Sequence, residues 1–291
     1  MGEYMNFRGR YLQSSGAGGP AKKRKAACIA LCVAAACLLS ACGVKMDAAI
    51  ILAGSTSVQP YAEILAEEYA RSHPDQEVDV QGGGSSAGIT AAESGIADIG
   101  MSSRALKEAE QGLWSVEIAK DGLAVIINPK NPIEDLTIEQ IRRIYAAEAT
   151  KWSDLGGADS KIHVITREEG SGTRSAFEEL VMEKALITPK AIVQDSNGAV
   201  RLLVADDPNA IGFISLGLVD RSVKAVRLEG VAASAENVMN AWYSLFRPFL
   251  FVARGEPEGL SKQFIDFVLS EEGQRTLRKE GLIPVSGGAK E

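Results

Sequence analysis

Four short polar loops contain the residue types that bind an oxyanion. They are Gly54–Ser57, Gly83–Ser86, Met101–Arg104 and Arg167–Arg174. Glycine lets the backbone approach an anion closely, and serine and threonine hydroxyls donate hydrogen bonds without adding charge. Arginine can add a bidentate, charge-assisted contact to a tetrahedral anion. Any one such loop is also typical of a helix cap or a turn, so the recurrence of four is what favours an anion site.

The four loops share one predicted position, between the end of a strand and the start of a helix. Short apolar or alternating segments, typical of strands, precede them at Ala49–Ala53, Glu77–Gln81, Ala97–Met101 and Ile162–Arg167. Helices are predicted over Pro60–Ser72, Ala87–Ser94, Ile138–Ala147, Gly172–Ala185, Ser196–Ala205, Leu260–Leu269 and Glu272–Glu280. Alternating strands and helices predict an α/β fold with largely parallel sheets, whose strand ends and helix N-termini would form the ligand crevice.

The charge of the chain excludes some classes of function. Residues 1–41 hold six of the 31 Lys and Arg residues and one of the 38 Asp and Glu residues, which leaves 25 basic and 37 acidic residues and a formal net charge of −12. An acidic protein of this kind is a poor candidate for binding nucleic acid. It must hold an anion with local dipoles and one or two placed cations.

Cysteine and histidine are scarce outside the N-terminal segment. All four cysteines lie between Cys28 and Cys42, so the rest of the chain has no internal disulfide. The chain has two histidines, His73 and His163, which excludes a histidine-rich metal cluster. We therefore expect neither a metal nor a cofactor.

The N-terminal segment is typical of a secretory leader. A basic stretch at 22–25 precedes the apolar run Ala26–Leu39, which is too short to span a membrane comfortably. The run ends in Leu39-Ser40-Ala41-Cys42, which resembles the lipobox of bacterial lipoproteins. The resemblance implies a signal peptide over 1–41, a lipidated Cys42 that anchors the protein to the outer face of the cytoplasmic membrane, and a tether over 42–48. The alternative is a plain signal peptide with a chance cysteine.

Four motifs resemble the PstS family, the phosphate-binding proteins of the high-affinity phosphate ABC importer. These motifs are Gly54–Pro60, Gln81–Gly88, Ala97–Gly100 and Arg167–Arg174, and the resemblance extends from about Ile50 to Val285. It implies a type II periplasmic-binding-protein-like fold, in which two α/β lobes joined by two crossover strands close on phosphate. It also implies a monomer without enzymatic activity, whose partners are the membrane permease subunits of the importer.

The same resemblance implies the residues of the phosphate site. They are Thr56, Ser57, Ser85, Ser103, Arg104, Arg167, Ser171, Gly172 and Thr173. Arg167 would supply the positive charge, and Glu169 takes the position of an acid that orients this arginine in the family.

The sequence departs from the family at Ser103. Many members have an acid there, which accepts a hydrogen bond from protonated phosphate. Ser103 could accept from a protonated oxygen or donate to an ionised one. Arg104 could be a second cation or could lie solvated beside the cleft. We therefore expect a preference for phosphate over sulfate that is weaker than in relatives with the acid.

Two apolar segments fit the crossover strands, Gly122–Asn128 and Leu245–Ala253. They predict a first lobe over 48–125 plus 246–287 and a second lobe over 126–245.

Other functions are compatible with these loops. The chain could bind another oxyanion, such as sulfate, molybdate or tungstate, or could serve as a phosphate sensor or adhesin. A phosphate-ester hydrolase could use Ser57 or Ser171 as its nucleophile, but these loops hold no histidine, cysteine or dense carboxylate cluster to activate it.

Overall fold

A computed structural model describes residues 49–285 of the chain. The predicted signal peptide, the tether and Cys42 lie outside the described residues.

Strands and helices alternate along most of the described chain. The strands are β1 (Ala49–Gly54), β2 (Glu77–Gly82), β3 (Ile99–Ser102), β4 (Trp114–Ile127), β5 (Asp135–Leu136), β6 (His163–Arg167), β7 (Ile192–Gln194), β8 (Ala210–Ser215), β9 (Lys224–Ala225), β10 (Arg227–Leu228), β11 (Phe246–Ala253) and β12 (Ile283–Pro284). The helices are α1 (Gln59–Ser72), α2 (Ser85–Ser94), α3 (Ile138–Tyr145), α4 (Gly172–Phe177), α5 (Asn197–Asp206), α6 (Ala235–Met239), α7 (Gly259–Leu269) and α8 (Glu271–Lys279). The predicted α/β class is confirmed.

Local sequence explains where the helices that border the loops begin. Pro60 lies in the first turn of α1, where its missing N–H leaves no hydrogen bond unmade. Ser171 and Ser196 cap α4 and α5, because their hydroxyls accept hydrogen bonds from the N–H groups of Arg174 and Ala199.

The strands follow one another in the order β2-β1-β3-β11-β4-β8-β6-β7, with β9 and β12 also paired to β4. The outer neighbours β1–β2, β1–β3, β6–β7 and β6–β8 are parallel, as predicted. The centre differs, because β11 and β4 are antiparallel to each other. Strand β4 changes partner along its length: it pairs with β11 up to Gly122 and with β8 from Leu123 onward.

The two largest hydrophobic cores of the described residues lie on either side of this change of partner. The first contains buried side chains from β1, α1, β3, the start of β4, β11, α7 and α8, such as Leu52, Tyr69 and Phe264. The second contains side chains from the end of β4, α3, α4 and β8, such as Tyr145 and Phe213. We call the parts built on these cores the first and the second lobe. The exact boundaries at 125 and 246 stay a prediction.

Within residues 49–285, no helix is both long and apolar enough to cross a membrane.

Candidate functional site

The four polar loops meet at one place. The Ser103 hydroxyl accepts a hydrogen bond from the Ser55 hydroxyl at 2.9 Å, and its backbone N–H donates to Ser85 Oγ at 3.0 Å. These contacts join the three loops of the first lobe. The loop of the second lobe reaches them through Thr173, whose hydroxyl lies 2.7 Å from that of Ser57. The structure therefore brings together the hydroxyls that the sequence had placed on separate strand ends.

Close backbone approach explains two of the glycines. Gly54 has a φ of 137°, and a Cβ at this position would lie 2.3 Å from the carbonyl oxygen of Met101. Gly172 begins α4, and a Cβ there would lie 2.3 Å from Ser85 Oγ and 2.6 Å from Ser103 Oγ. The glycines thus let the loops of the two lobes pack directly against one another.

Arg167 ends β6 and is 1% exposed. Its Nη2 donates to Thr56 Oγ1 and to the carbonyl oxygen of Asp195, both at 3.1 Å. The guanidinium also forms two 2.9 Å hydrogen bonds to Glu168, from Nε and from Nη2. Its remaining nitrogen, Nη1, is buried and has no hydrogen-bond partner among the described residues.

The acid that orients Arg167 is Glu168, so the assignment of Glu169 to this role is wrong. Glu168 lies directly after β6, and its carboxylate folds back along the guanidinium. Glu169 lies in the turn that follows and is exposed to solvent.

Arg104 is buried but does not contact the hydroxyl cluster. It forms a bidentate ion pair with Glu110, with distances of 2.7 and 2.8 Å, and its Nη2 is 3.4 Å from the hydroxyl of Ser86. The hydrogen bond from Arg104 is the main reason that the pKa of Glu110 lies below its ordinary value. The residue is therefore not solvated beside the cleft, and its charge is compensated by a carboxylate of its own lobe.

The structure adds a second arginine that the sequence interpretation missed. Arg247 lies on β11 and is 2% exposed. Its Nη2 is 3.0 Å from Ser57 Oγ, and its Nη1 is 3.4 Å from Ser103 Oγ. The Asp121 carboxylate pairs with it at 2.9 Å and also accepts from the Ser215 hydroxyl at 2.8 Å. Burial raises the pKa of Asp121, against the opposing effect of Arg247.

Asn197 is a further addition. Ser196 caps α5, but the next residue reaches across to the first lobe. The Asn197 side-chain amide donates to Ser57 Oγ at 2.9 Å, and its carbonyl accepts from the Ser215 N–H. The polar sequence Ser-Asn-Gly at 196–198, at the start of a predicted helix, was the available signal.

The chemistry of the cluster is that of hydrogen-bond donation to an anion. It combines two buried guanidinium groups, the hydroxyls of five Ser and Thr residues, and the N-terminus of the ten-residue helix α2. Those hydroxyls belong to Thr56, Ser57, Ser85, Ser103 and Thr173. Among residues 49–285, no group of three or more His, Cys, Asp or Glu side chains is placed to hold a metal ion.

A family model and two curated relatives show the family of this chain. A family model for the PBP superfamily domain matches residues 40–272. The Phosphate-binding protein PstS of Bacillus subtilis is 31% identical over 248 residues, covering 83% of this chain and 82% of that protein. The protein of the same name from Pseudomonas aeruginosa is 31% identical over 264 residues, covering 80% and 81% of the two chains.

Two solved structures agree with this family. A crystal structure from Clostridium perfringens, described as a phosphate ABC transporter substrate-binding protein with bound phosphate, is 47% identical. It superposes with a TM-score of 0.80 and covers 82% of this chain and 100% of that one. An ABC-type phosphate transport receptor from Vibrio cholerae is 40% identical, with a TM-score of 0.69 and coverage of 82% and 100%. The predicted two-lobed fold, similar to periplasmic binding proteins, is confirmed.

Proposed function

Because this chain belongs to the PstS family within the PBP superfamily, we propose that it binds inorganic phosphate between its two lobes and delivers it to an ABC importer. The family relation supports the class of function, a substrate-binding protein of phosphate transport. The geometry of the hydroxyl and arginine cluster supports the place where the ligand binds.

The observation that carries the proposal is the state of Arg167. Its guanidinium is buried and held on one side by Glu168, while Nη1 has no partner among the described residues. Leaving a buried charged donor without a partner is costly. A tetrahedral anion among the neighbouring hydroxyls would accept that hydrogen bond and would neutralise the charge.

The proposed ligand contacts come from both lobes. The first lobe contributes Thr56, Ser57, Ser85 and Ser103, and the second contributes Arg167, Ser171, Gly172 and Thr173. Arg104 has a supporting role in this proposal, because its ion pair with Glu110 holds it against Ser86 in the first turn of α2.

The arrangement favours binding over catalysis. His73 stacks on Tyr69, and His163 pairs with Asp207, so neither histidine is placed to activate a hydroxyl of the cluster. We therefore propose a binding protein without hydrolase activity.

The location and partners follow from the same proposal. The protein is held at the outer face of the cytoplasmic membrane by lipid on Cys42, acts as a monomer, and docks on the permease subunits of the importer. The lipobox-like sequence before Cys42 supports the anchor, and more than one acyl chain gives stable attachment.

Calorimetric titration of the mature domain with phosphate, sulfate, molybdate and tungstate tests the proposal. We expect phosphate to bind most tightly, at a stoichiometry of one. Tighter binding of another oxyanion would assign the protein to that ligand instead. Release of phosphate from a phosphate monoester would refute the absence of hydrolase activity.

A further inference from the structure

Arg247 and Asp121 form a buried ion pair at the point where β4 changes partner. The two residues are register partners on the antiparallel strands β11 and β4. Their side chains are 2% and 1% exposed, with Asp121 Oδ2 lying 3.1 Å from Nε and 2.9 Å from Nη2 of Arg247. Removing two charges from water is expensive, and a well-packed apolar pair is often as stable. Stability alone is therefore a weak explanation for the ion pair of Arg247 and Asp121.

The other side of the Arg247 guanidinium faces the proposed phosphate site. Nη2 donates to Ser57 Oγ at 3.0 Å, and Nη1 donates to Ser103 Oγ at 3.4 Å. The group also lies 5.4 Å from the centre of the Phe249 ring, which helps to fix its plane. One arginine therefore contacts two of the hydroxyls that are proposed to hold the ligand.

The hydrogen bonds around these two hydroxyls determine which way each proton points. A serine hydroxyl has one proton to donate and two lone pairs to accept with. Ser57 Oγ accepts from Arg247 and from Asn197 Nδ2, at 2.9 Å for the latter. Ser103 Oγ accepts from Arg247 and from Ser55 Oγ, at 2.9 Å for the latter. Both lone pairs of each oxygen are thereby engaged, so each hydroxyl can only donate. In this structure the Ser57 hydroxyl donates to Thr173 Oγ1 at 2.7 Å and the Ser103 hydroxyl to Ser85 Oγ at 3.3 Å. An oxygen of the ligand would have to replace these acceptors.

We propose that Arg247, held by Asp121, is a positioning residue that makes the hydroxyls of Ser57 and Ser103 obligate donors, so that the site favours a doubly charged tetrahedral anion over a singly charged one. This inference rests on the proposed function. The inference assigns Ser103 the role of a donor to an ionised oxygen, and not that of an acceptor from a protonated oxygen. A pocket of donors favours the doubly charged form of phosphate over the singly charged form, and it also admits sulfate.

The charged and titratable groups around Arg247 are consistent with a dianion. Asp121 on β4, Arg167 on β6 and Tyr61 on α1 act on it electrostatically. Burial is the main cause that lowers the pKa of Arg247, and the charge of Arg167 lowers it further. Two guanidinium groups close enough to repel each other would both be stabilised by a doubly charged ligand between them.

The test uses a double variant that removes both charges of the pair, Asp121→Asn with Arg247→Met. Removing both avoids leaving one buried charge without a partner. The native protein and the variant are titrated with inorganic phosphate and with sulfate, at a pH below and a pH above the second ionisation of phosphate. Arg142→Met is the matched control, because Arg142 is also ion-paired but lies on α3, in the second lobe and away from the cluster.

For the native protein and the control, we expect phosphate affinity to rise with pH as the dianion forms, and sulfate to bind measurably. For the double variant, we expect dianion affinity to fall by about tenfold. Its pH dependence should flatten, because the freed hydroxyls can turn and accept from the additional proton of the singly charged anion. The ratio of phosphate to sulfate affinity should therefore rise.

The inference would be overturned if the double variant kept the native ratio of phosphate to sulfate affinity and the native pH dependence of phosphate affinity. If that variant does not fold, Arg247→Lys provides the same test. Its ammonium keeps the charge beside Asp121 but cannot hold both hydroxyls with a planar fork, so the profile should flatten partly. A native pH profile in Arg247→Lys would then overturn the inference.

If the native protein binds neither anion at any pH, the proposed function fails, and this inference fails with it. If Arg167→Met abolishes binding while the Arg247 variants behave as native, only this inference fails.

Discussion

Replacing Arg167 with methionine tests the proposed site most directly. Methionine fills much of the same buried volume without charge. The change removes Nη1 of Arg167, which is buried without a hydrogen-bond partner among the described residues. A hydrogen bond to a charged group contributes about 1.5–3 kcal/mol. The expected rise in the phosphate Kd is therefore roughly tenfold to more than a hundredfold.

The single variant should lose more than this bond alone, because of Glu168. Its carboxylate forms two 2.9 Å hydrogen bonds to Arg167 and is 30% exposed. Without the arginine, its negative charge repels the anion. At an effective dielectric constant near 20, two unit charges separated by about 6 Å interact by roughly 3 kcal/mol. Partial solvation reduces this value to on the order of 1 kcal/mol.

The variant Arg167→Met with Glu168→Gln separates the two effects. It should bind phosphate more tightly than Arg167→Met alone, by up to about tenfold, and more weakly than the native protein. The assay is calorimetric titration with phosphate at constant ionic strength, with thermal unfolding of each variant to verify the fold. A native Kd in the single variant would refute the central role of Arg167. Equal Kd values in the two variants would refute the electrostatic role of Glu168.

Three further predictions concern the anchor, the approach of the lobes and an ion pair. Cys42→Ala should release the protein from the membrane fraction or leave it unprocessed, and normal processing with retention at the membrane would show that Cys42 is not the lipidated residue. Gly172→Ala should weaken phosphate binding by on the order of tenfold with little change in the melting temperature, because the new Cβ would lie 2.3 Å from Ser85 Oγ when the lobes meet; native affinity would contradict that close approach. Glu110→Gln should lower the free energy of unfolding by about 1 kcal/mol at neutral pH, since Arg104 lowers the pKa of Glu110 in the folded protein. The native carboxylate stabilises the fold above about pH 4.3, and that contribution is lost as the pH falls through the lowered pKa of Glu110. The difference in the free energy of unfolding between the two proteins should therefore shrink in acid. An equal difference in acid and at neutral pH would argue against this ion pair.

The polar loops could be predicted from the sequence because their chemistry is local. A strand end, a glycine and a serine before a helix are adjacent residues, and the carboxyl ends of parallel strands meet at one edge of a sheet. Arg247 could not be found in this way. It is a single charge within an apolar strand, and its partner Asp121 is 126 residues away in the sequence. Only the register of β11 against β4 brings the two side chains together.

Two other differences between the prediction and the structure depend on local backbone geometry, which composition does not determine. Glu168 and Glu169 are adjacent acids, and the turn after β6 decides which of them faces Arg167. The helix predicted over Gly172–Ala185 is α-helical only as far as Phe177, and a π-helical turn over Glu178–Met182 follows it. This turn ends at Glu183, whose φ is 53°. A hydrophobic pattern does not distinguish these two kinds of helix.

The way in which the chain divides between the two cores also determines the order in which the lobes can fold during synthesis. The first core needs side chains from both ends of the described chain, from Ile50 to Ala119 and from Phe249 to Leu282. The second core lies almost entirely between them in sequence. Domains usually fold from the N-terminus onward as the chain emerges. Here the second lobe can fold as soon as its own residues are made, whereas β1 and β3 must wait for β11 to pair with β3 and for α7 and α8 to complete the first core. The lobe whose strands are synthesised first is thus the last to be completed.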